Sequence, residues 1–558
     1  MILIEEKKAS KIPGGRSLFI SFNYNADIVA TIKTCDVANY DKKTKIWEVP
    51  VTSLSSLLDR LVMIDEIQLN LLQDEEKEET DNKITSTLKT TPYPYQKEGI
   101  EYGINHDKFL LLDAPGLGKT LQVIYTAQEL KKTEGLEHCL IICGVNTLKN
   151  NWKREIQKHS DLSCRILGEK VSSRGNVSIG SVAERLDQLK HPIEEFFIIT
   201  NIETLRNNDI AKEINKGKAN VFDMIVVDEC HKCKNSQSQQ GKNLLKLKTA
   251  KHRIGLSGTL LVNKPLDCYV PLKWIGVENC PGKNFEYYYC NYGGPFGHDL
   301  LGYKNMNVLK DIIEANSLRR TKDLLDLPEK NIIHEFVDME STQANFYSDV
   351  ADGIASQVDK VQLNTTSILA MTSRLRQATS CPSYLTTEDI PSAKVDRAID
   401  LIEQIIDSGS KVVVYSMFKE TLNVLNEKIA YRKPLLCTGD VKDSIIIDNI
   451  NNFQTNDDCK IMLATCQKMG TGITLTAATY AIFIDCPWTQ ADCLQCEDRI
   501  HRIGSKEPVF IYYLWTTGTI DEKVKDIVET KGILSDYVID DTYQPQFLEK
   551  LKAIIDEL

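Results

Sequence analysis

The segment Asp113-Ala-Pro-Gly-Leu-Gly-Lys-Thr120 decides the fold of this chain. It follows the apolar run 109–112 and precedes a helical pattern that begins at Leu121. A glycine-rich turn between a buried strand and a helix is the context in which a protein backbone binds phosphate groups. The segment therefore predicts a phosphate-binding loop inside an α/β domain.

Each residue type of this loop suits phosphate chemistry. Gly116 and Gly118 allow backbone conformations that are closed to other residues, so that successive N–H groups converge on phosphate oxygens. Lys119 neutralises the charge of the β- and γ-phosphates, and the Thr120 hydroxyl ligates magnesium. A glycine turn with a surface lysine is the alternative interpretation. The predicted nucleotide contacts of the loop are Pro115, Gly116, Leu117, Gly118, Lys119 and Thr120.

A second segment, Met224-Ile-Val-Val-Asp-Glu-Cys-His231, places two carboxylates at the end of a buried type of strand. We expect Asp228 to bind magnesium through water, and Glu229 to orient or deprotonate an attacking water. An Asp-Glu pair at a strand end is more often structural. The phosphate-binding loop upstream reverses that preference, because the two motifs complete each other.

A third segment, Gln495-Cys-Glu-Asp-Arg-Ile-His-Arg-Ile-Gly504, carries two arginines three positions apart. On a helix, Arg499 and Arg502 share one face. A buried helix face rarely carries two arginines, so we expect both to supply positive charge to a phosphoryl group during its transfer. A solvated pair is the alternative.

The composition is that of an ordinary globular protein. At about 150 residues per domain, the 558 residues predict three to four domains. With 67 basic and 78 acidic residues the net charge is −11, so any nucleic-acid surface must be a local patch. The chain shows neither an apolar stretch of about 18 residues nor a secretory signal pattern. We therefore expect an intracellular protein. The compact length, without an evident nuclear-localisation cluster, favours the cytoplasm of a bacterial cell or a phage-infected host.

Cysteine usage favours reduced thiols. The 16 cysteines are scattered along the chain. Two C-x-x-C pairs, Cys230/Cys233 and Cys493/Cys496, raise the alternative of a zinc site. Each pair lies inside a nucleotide motif and neither has a second pair at zinc-finger spacing, so we expect no structural metal.

Apolar runs that alternate with helical patterns divide the chain into parts. The alternation occurs in two regions, which predicts two parallel sheets covered by helices on both faces. In the region between them, the Phe and Tyr residues are expected in the core rather than as platforms for stacked bases. The predicted parts are a small α+β domain at 1–72, a charged linker at 73–89, a first lobe at 90–262, a largely helical insertion at 263–385, a second lobe at 386–535 and a helical tail at 536–558.

In their order, the motifs resemble those of superfamily-two helicase ATPases of the Swi/Snf type, over about residues 90–535. The resemblance implies an α/β fold of two RecA-like parallel-sheet lobes with helical insertions, and it implies ATP and Mg²⁺ as cofactors. The implied catalytic residues are Lys119, Asp228, Glu229, Arg499 and Arg502. It rests on the three segments above and on Leu256-Ser-Gly-Thr259, Leu318-Arg-Arg-Thr-Lys322, Val413–Phe418 and Thr465–Leu475.

The same resemblance implies further nucleotide and DNA contacts. Tyr93-Pro-Tyr95-Gln96 resembles an adenine-reading Q motif, so Tyr93 and Gln96 are expected at the nucleotide, together with Gly470 and Gly472. The positions expected near a DNA strand are Lys149, Asn150, Trp152, Thr200, Ser416, Lys419, Gln467, Lys468 and Trp488.

The N-terminal part has a resemblance of its own. Residues 19–61, centred on the hairpin-like run 40–49, resemble the small HARP-type domain that accompanies annealing helicases acting on forks. Lys42, Lys43 and Lys45 around Trp47 are expected to offer a basic edge with an aromatic ring to DNA. A charged hairpin whose tryptophan fills a small core is the alternative.

The resemblance implies a DNA-dependent ATPase and translocase that remodels branched or fork DNA by annealing, fork reversal or branch migration. The alternatives are a motor that displaces or recycles DNA-bound proteins, a nucleotide-controlled protein-interaction switch, and an RNA helicase. Expected partners are double-stranded, fork or branched DNA and replication or recombination proteins. We expect no membrane association and a monomer in solution.

Overall fold

The structure of the protein is a computed structural model. The described residues fall into two compact units that divide between Leu324 and Leu325. Within them, no helix combines the length and the apolar character needed to cross a membrane. The structure describes residues 1–35, 37–72, 82–144, 148–171, 177–258, 265–293, 299–325, 327–358, 365–469, 473–488, 490–526 and 528.

Residues 1–72 form a small α+β domain. Leu18 and Ile20 pack with Ile28 and Leu57 in one small core, as the alternating and helical patterns predict. The elements are β1 (Ile2–Lys8), β2 (Arg16–Ser21), α1 (Ala26–Ile32), β3 (Asn39–Asp41), β4 (Ile46–Pro50), α2 (Leu54–Leu61) and β5 (Ile67–Asn70). The sheet order is β3-β4-β2-β1-β5, with β5 parallel to β1 and the other pairs antiparallel. Along the chain these elements follow the order β-β-α-β-β-α-β.

The rest of the first unit is an α/β lobe. Its elements are α3 (Pro94–Asn105), β6 (Lys108–Leu111), α4 (Lys119–Glu134), β7 (His138–Cys143), α5 (Leu148–His159), β8 (Cys164–Ile166), β9 (Glu169–Val171), β10 (Val177–Ile179), α6 (Val182–Leu189), β11 (Phe197–Asn201), α7 (Asn208–Lys216), β12 (Phe222–Asp228), α8 (Gln239–Leu244), β13 (His252–Leu256), α9 (Tyr269–Ile275), α10 (Gly282–Tyr289), β14 (Cys290–Gly293), β15 (Asp299–Tyr303), α11 (Met306–Ala315) and β16 (Ser317–Leu318). Seven parallel strands form its sheet in the order β16-β6-β13-β12-β7-β11-β8.

The second unit is also an α/β lobe with a parallel sheet. Its elements are β17 (Lys330–Val337), α12 (Ser341–Val358), α13 (Thr365–Ser380), α14 (Ala393–Asp407), β18 (Val412–Ser416), α15 (Lys419–Lys428), β19 (Leu435–Cys437), α16 (Asp443–Thr455), β20 (Ile461–Thr465), α17 (Cys466–Met469), β21 (Tyr480–Phe483), α18 (Gln490–Glu497) and β22 (Val509–Thr516). Six strands pair in the order β17-β22-β21-β18-β20-β19.

Both faces of each parallel sheet are buried, as continuous apolar strands require. In β12, Ile225 and Val227 belong to one core cluster, whereas Met224 and Val226 belong to another on the opposite face. In β18 the alternate valines and Tyr415 divide between two clusters in the same way. The predicted fold class of two helix-covered parallel-sheet lobes with a small N-terminal α+β domain is therefore confirmed.

The region predicted as an insertion, 263–385, is divided between the two sheets. β16 pairs with β6 in the first unit, and β17 pairs with β22 in the second. Aromatic side chains of this region fill the core of the first lobe, with Phe285 and Tyr289 fully buried, as expected. The sequence could not show this division, because β16 is only two residues long and depends on a distant partner strand.

The end of the predicted charged linker packs on the first lobe. Residues 73–81 lie outside the described part of the chain, but Ile84 and Leu88 contact the lobe core. Thr85 and Ser86 donate hydrogen bonds to the buried Glu129 of α4. Burial alone raises the pKa of this carboxyl, but the donated hydrogen bonds hold it below its usual value. A glutamate inside a helix thus fixes a segment whose own sequence looks solvated.

Candidate functional site

The phosphate-binding loop lies between β6 and α4, as predicted. Gly116 and Gly118 have φ values of 89° and 78°, in the left-handed region that favours glycine. A Cβ atom on Gly118 would lie 2.4 Å from the Nε2 atom of Gln96. Because α4 begins at Lys119, its first backbone N–H groups and its positive dipole end point into the loop. The local geometry is that of an anion cradle.

The side chains of the loop take different positions. Lys119 is half-buried, and its Nζ atom lies 2.6 Å from the Asp113 carbonyl oxygen, which keeps its charge inside the cradle. Thr120 is half-buried in the first turn of α4. Leu117 is fully buried, so its backbone N–H group is the part that faces the loop, and its contact with the nucleotide stays a prediction. Pro115 packs closely against Gly258, where an added Cβ would approach its Cγ atom to 2.8 Å.

The segment 93–96, which resembles a Q motif and begins α3, binds the phosphate-binding loop. The Nε2 atom of Gln96 and the Tyr95 hydroxyl donate to the Leu117 carbonyl oxygen, each over 3.1 Å. The other amide atom, Oε1 of Gln96, accepts from the backbone N–H of Tyr93 at 3.0 Å. Tyr93 is about half exposed and its ring stacks on Tyr95. Gln96 therefore acts on the loop, and Tyr93 offers the exposed ring face that an adenine contact needs.

A buried ion pair lies at the root of the loop. Asp113 is fully buried, and its Oδ2 and Oδ1 atoms accept from Nη2 and Nε of Arg320 at 2.5 and 3.0 Å. Gln122 of α4 joins the pair, donating to Asp113 and accepting from Arg320. Arg320 also donates to the Tyr95 carbonyl oxygen and lies over the Tyr95 ring. The sequence analysis included Arg320 in the family-like segment Leu318–Lys322 but assigned it no role at the nucleotide site.

The two carboxylates of the second motif stand at the carboxyl end of β12. Asp228 accepts a hydrogen bond from the Trp152 indole at 2.9 Å and one from the Glu229 backbone N–H at 3.0 Å. The pKa of Asp228 is raised to about 6, first by burial and then by the neighbouring Glu229 carboxylate, although the Trp152 hydrogen bond and the Lys119 ammonium lower it. Cradle and carboxylates thus lie at one edge of the sheet, because β6 and β12 both pair in parallel with β13.

Glu229 has a strained backbone. Its φ and ψ are 52° and 49°, a left-handed conformation that costs a residue with a side chain about 1–3 kcal/mol. Gly144, directly after β7, lies close to this residue. A Cβ atom added to Gly144 would be only 2.6 Å from the Cβ of Glu229. The carboxylate lies 3.3 Å from Nδ1 of His231, which also contacts the Ser257 hydroxyl at 3.0 Å. Through His231, the candidate base Glu229 is therefore connected to Ser257, which directly follows β13.

These residues fit ATP and Mg²⁺. The cradle supplies backbone N–H groups and an ammonium for phosphate oxygens, and a carboxylate and a hydroxyl are oxygen ligands of the kind that Mg²⁺ prefers. The parallel pairing of β6, β13 and β12 brings their following loops to one edge of the sheet.

The arginine pair of the third motif lies in the second unit. α18 ends at Glu497, so Arg499 and Arg502 lie in the turns beyond it, and the prediction of a shared helix face is wrong. A left-handed Gly504 and a hydrogen bond from the Arg502 N–H to Ser505 shape these turns. Both guanidinium groups nevertheless converge, since each donates to the Ile473 carbonyl oxygen, at 3.3 and 3.4 Å. The predicted nucleotide contacts Gly470 and Gly472 lie outside the described residues.

Four of the predicted DNA contacts are buried. Trp152 and Ser416 have no exposed area, and Thr200 and Lys149 are 2% and 5% exposed. The Trp152 indole donates a hydrogen bond to Asp228, the Thr200 hydroxyl donates to Thr204, and the Ser416 hydroxyl donates to Asp485. These four side chains are enclosed by the protein, and DNA contact at their positions remains a prediction.

The other five predicted DNA contacts have accessible side chains. Asn150 and Gln467 are exposed, and Lys468 is half-buried. Lys419 is half-buried and forms an ion pair with Asp440. Trp488 is half-buried, and the Arg376 guanidinium lies over its ring, 4.4 Å from the ring centre. DNA contact by these side chains remains a prediction.

A buried charge network supports the second lobe near Ser416. Lys394 pairs with Asp485 at 3.5 Å and with Asp521 at 2.5 Å, and all three side chains are almost fully buried. Burial alone lowers the pKa of Lys394, but the two carboxylates raise it above its ordinary value. The Asp485 carboxylate also accepts from the Ser380 and Ser416 hydroxyls. The network fixes the chain after β18 and β21, and a sequence alone gives no signal that links residues so far apart.

Replacing Arg320 by Gln should weaken the nucleotide site. Breaking a buried pair while its partner stays buried costs about 3–5 kcal/mol, so thermal unfolding of the first unit should begin at lower temperature and ATP should bind more weakly. Differential scanning calorimetry and an ATP titration measure both effects. The neighbouring exposed Arg319→Gln is the matched control and should behave as wild type. Equal behaviour of the two variants would show that the pair does not hold the loop.

Comparison with known proteins agrees with this site. The SNF2-related domain matches residues 95–384, the helicase conserved C-terminal domain matches 393–504, and the HepA-related protein (HARP) domain matches 18–72.

Three curated relatives are similar over most of the chain. A SWI/SNF-related matrix-associated actin-dependent regulator of chromatin subfamily A-like protein 1 of Xenopus tropicalis is 23% identical over 92% of this chain and 54% of that protein. An uncharacterized ATP-dependent helicase of Mycoplasma genitalium is 27% identical over 89% and 47%, and a putative ATP-dependent helicase/translocase of Bacillus subtilis is 26% identical over 82% and 50%. The chain thus spans about half the length of these relatives. Because the SNF2-related match covers more than half of its residues, the chain belongs to the SNF2-related family.

Proposed function

We propose that the protein is an ATP-driven motor that moves on double-stranded DNA and remodels fork or branched DNA by annealing, fork reversal or branch migration. The observation that carries the ATPase part is the single site formed by Lys119, Asp228 and Glu229 at one edge of a parallel sheet. The HARP-type domain in the same unit and the helicase-type relatives support the DNA part.

Each group of the site has a chemical task in this proposal. The loop N–H groups and Lys119 bind the β- and γ-phosphates, while Thr120 and Asp228 hold the metal. Mg²⁺, when bound, neutralises charge on the phosphate oxygens. Glu229 orients the attacking water and accepts its proton, and the His231 contact fixes the position of that carboxylate. Arg499 and Arg502 stabilise the charge that develops on the transferred phosphoryl group.

The N-terminal hairpin provides a surface for forked DNA. Lys42 and Lys43 are exposed at the turn between β3 and β4, and the rings of Tyr40 and Trp47 lie 5.0 Å apart. Tyr40 is 44% exposed, whereas Trp47 packs partly on the small core. Trp47 thus serves the core, and we propose that Tyr40 and the two lysines meet DNA.

ATP hydrolysis should depend on double-stranded DNA. A comparison of steady-state rates on fork, Holliday junction, plain duplex, protein-loaded duplex and RNA tests the proposal, and the highest rates are expected on fork or junction DNA. Because the contacts are mainly to phosphates, affinity should fall by about 10³-fold or more between about 50 and 200 mM salt if about six phosphates are bound. Hydrolysis unaffected by any nucleic acid would favour the protein-interaction switch, and a preference for protein-loaded duplex would favour a displacing motor.

The double variant Lys42→Glu/Lys43→Glu should lose the preference for forks. Charge reversal repels the phosphate backbone at the hairpin but leaves the ATP site unchanged. The measured quantity is the ratio of fork-stimulated to duplex-stimulated ATPase rates, which should approach one while the duplex rate stays at the wild-type value. Lys7→Glu/Lys8→Glu on the distant part of the sheet makes the same charge change and should keep the ratio. A wild-type ratio in the hairpin variant would show that the hairpin does not take part in fork recognition.

A further inference from the structure

The loop between β1 and β2 is folded around a buried glutamate. Glu48 of β4 is 4% exposed. Its Oε1 atom accepts from the backbone N–H groups of Ser10, Lys11 and Ile12 at 2.8, 3.0 and 3.3 Å, and its Oε2 atom accepts from the Ser10 hydroxyl at 2.7 Å. A carboxylate that accepts several backbone hydrogen bonds holds a loop in one conformation. The loop 9–15, which we term the docking loop, is therefore shaped within the N-terminal domain itself.

A second buried glutamate, from the first lobe, binds the tip of the docking loop. Glu278 lies between α9 and α10 and is 1% exposed. Its Oε1 atom accepts from the N–H groups of Asn279 and Cys280 at 2.9 and 3.0 Å, in its own segment. Its Oε2 atom accepts from the N–H group of Gly14 at 3.2 Å. One carboxylate thus joins the lobe segment to the N-terminal domain.

Three further contacts surround this hydrogen bond. The Nδ2 atom of Asn284 donates to the Lys11 carbonyl oxygen at 2.5 Å. Gly15 has a φ of 75°, and a Cβ there would lie 3.3 Å from the Val277 carbonyl oxygen, so the two backbones meet closely. Val37 of the N-terminal domain packs against the core cluster of the first lobe. The contact thus combines polar groups, close backbone approach and apolar burial.

We propose that the N-terminal domain is a fixed part of the first ATPase lobe, held by the docking loop and not merely tethered by the charged linker. The loop is shaped before it binds, so little conformational entropy is lost on attachment. Detachment would break the hydrogen bonds from Gly14 to Glu278 and from Asn284 to Lys11 and would expose the apolar contact of Val37 to water, which is unfavourable. The partner of this surface is the chain's own segment 277–284.

Attachment has a consequence for the motor. If the chain moves on DNA as proposed above, the hairpin with Lys42 and Lys43 travels with the nucleotide-binding lobe and keeps one orientation relative to that lobe. A flexibly tethered domain would sample DNA independently of the ATP cycle. The attachment itself depends on neither ATP nor DNA, so its test is independent of the proposed function.

Cutting the linker tests the attachment directly. A recognition sequence for a specific protease is inserted within residues 73–81, and the full-length protein is cut there without denaturant. Size-exclusion chromatography then shows whether the two pieces elute together, and the rate at which the small piece is lost on dilution gives its retention. The proposal predicts co-elution of the wild-type pieces. Separate elution of folded wild-type pieces would overturn it.

Variants at the contact test whether the docking loop holds the N-terminal domain on the first lobe. Glu278→Gln replaces the acceptor of the Gly14 hydrogen bond, and Asn284→Ala removes the bond to Lys11. Each should release the small piece about tenfold faster or more, because hydrogen bonds across the contact are lost, one of them to a charged group. Asn284 is half-buried, so its variant keeps the test valid even where Glu278→Gln lowers the stability of the lobe.

A glutamate just beyond the segment 277–284 provides the control. Glu286 of α10 accepts a hydrogen bond from the Tyr292 hydroxyl, inside its own segment. Glu286→Gln should therefore retain the small piece as well as wild type does. Wild-type retention in both contact variants, or equal release in the Glu286 control, would contradict the role assigned to the docking loop.

Discussion

The fully buried carboxylate of Asp113 is the constraint on which the nucleotide-binding lobe depends. A buried charge needs a partner, and Arg320 is supplied by the last segment of the first unit. That requirement brings residues 317–320 back along β6, where Ala114 donates its backbone N–H to the Arg320 carbonyl oxygen. The same guanidinium contacts α3 through Tyr95 and α4 through Gln122. One ion pair therefore connects the phosphate loop to α3, to α4 and to the distant segment 317–320.

The parallel sheet determines where chemistry is possible. Its strands end at one edge, so the cradle after β6, Ser257 after β13 and the carboxylates at the end of β12 come together without any local sequence signal that joins them. Strain is located at the same edge, in the left-handed backbone of Glu229. In the second lobe, Ser416 at the end of β18 and Asp485 after the neighbouring β21 meet in the same way, and both motif arginines donate to the Ile473 carbonyl oxygen.

The sequence predicted those features that local physics determines. Continuous apolar runs identified the main strands of both lobes, and the glycines at 116 and 118 identified the cradle, because backbone conformation alone requires them. Features that depend on distant partners were missed or misplaced. Trp152 looks like a surface aromatic until Asp228 is placed beside it, and Arg320 gains its role only from Asp113. The docking loop gave no signal, because its backbone N–H groups bind two distant glutamates.

The claim that ATP is bound by the cradle and hydrolysed with the help of the arginine pair is tested most directly by single-turnover hydrolysis with DNA in excess. The protein is the Arg502→Ala variant, loaded with ATP. The account predicts that ATP binds with wild-type affinity, because Lys119 and its loop hold it, while the rate of γ-phosphate release falls by about 10³-fold or more. Hydrolysis at the wild-type rate in this variant and in Arg499→Ala would contradict the account.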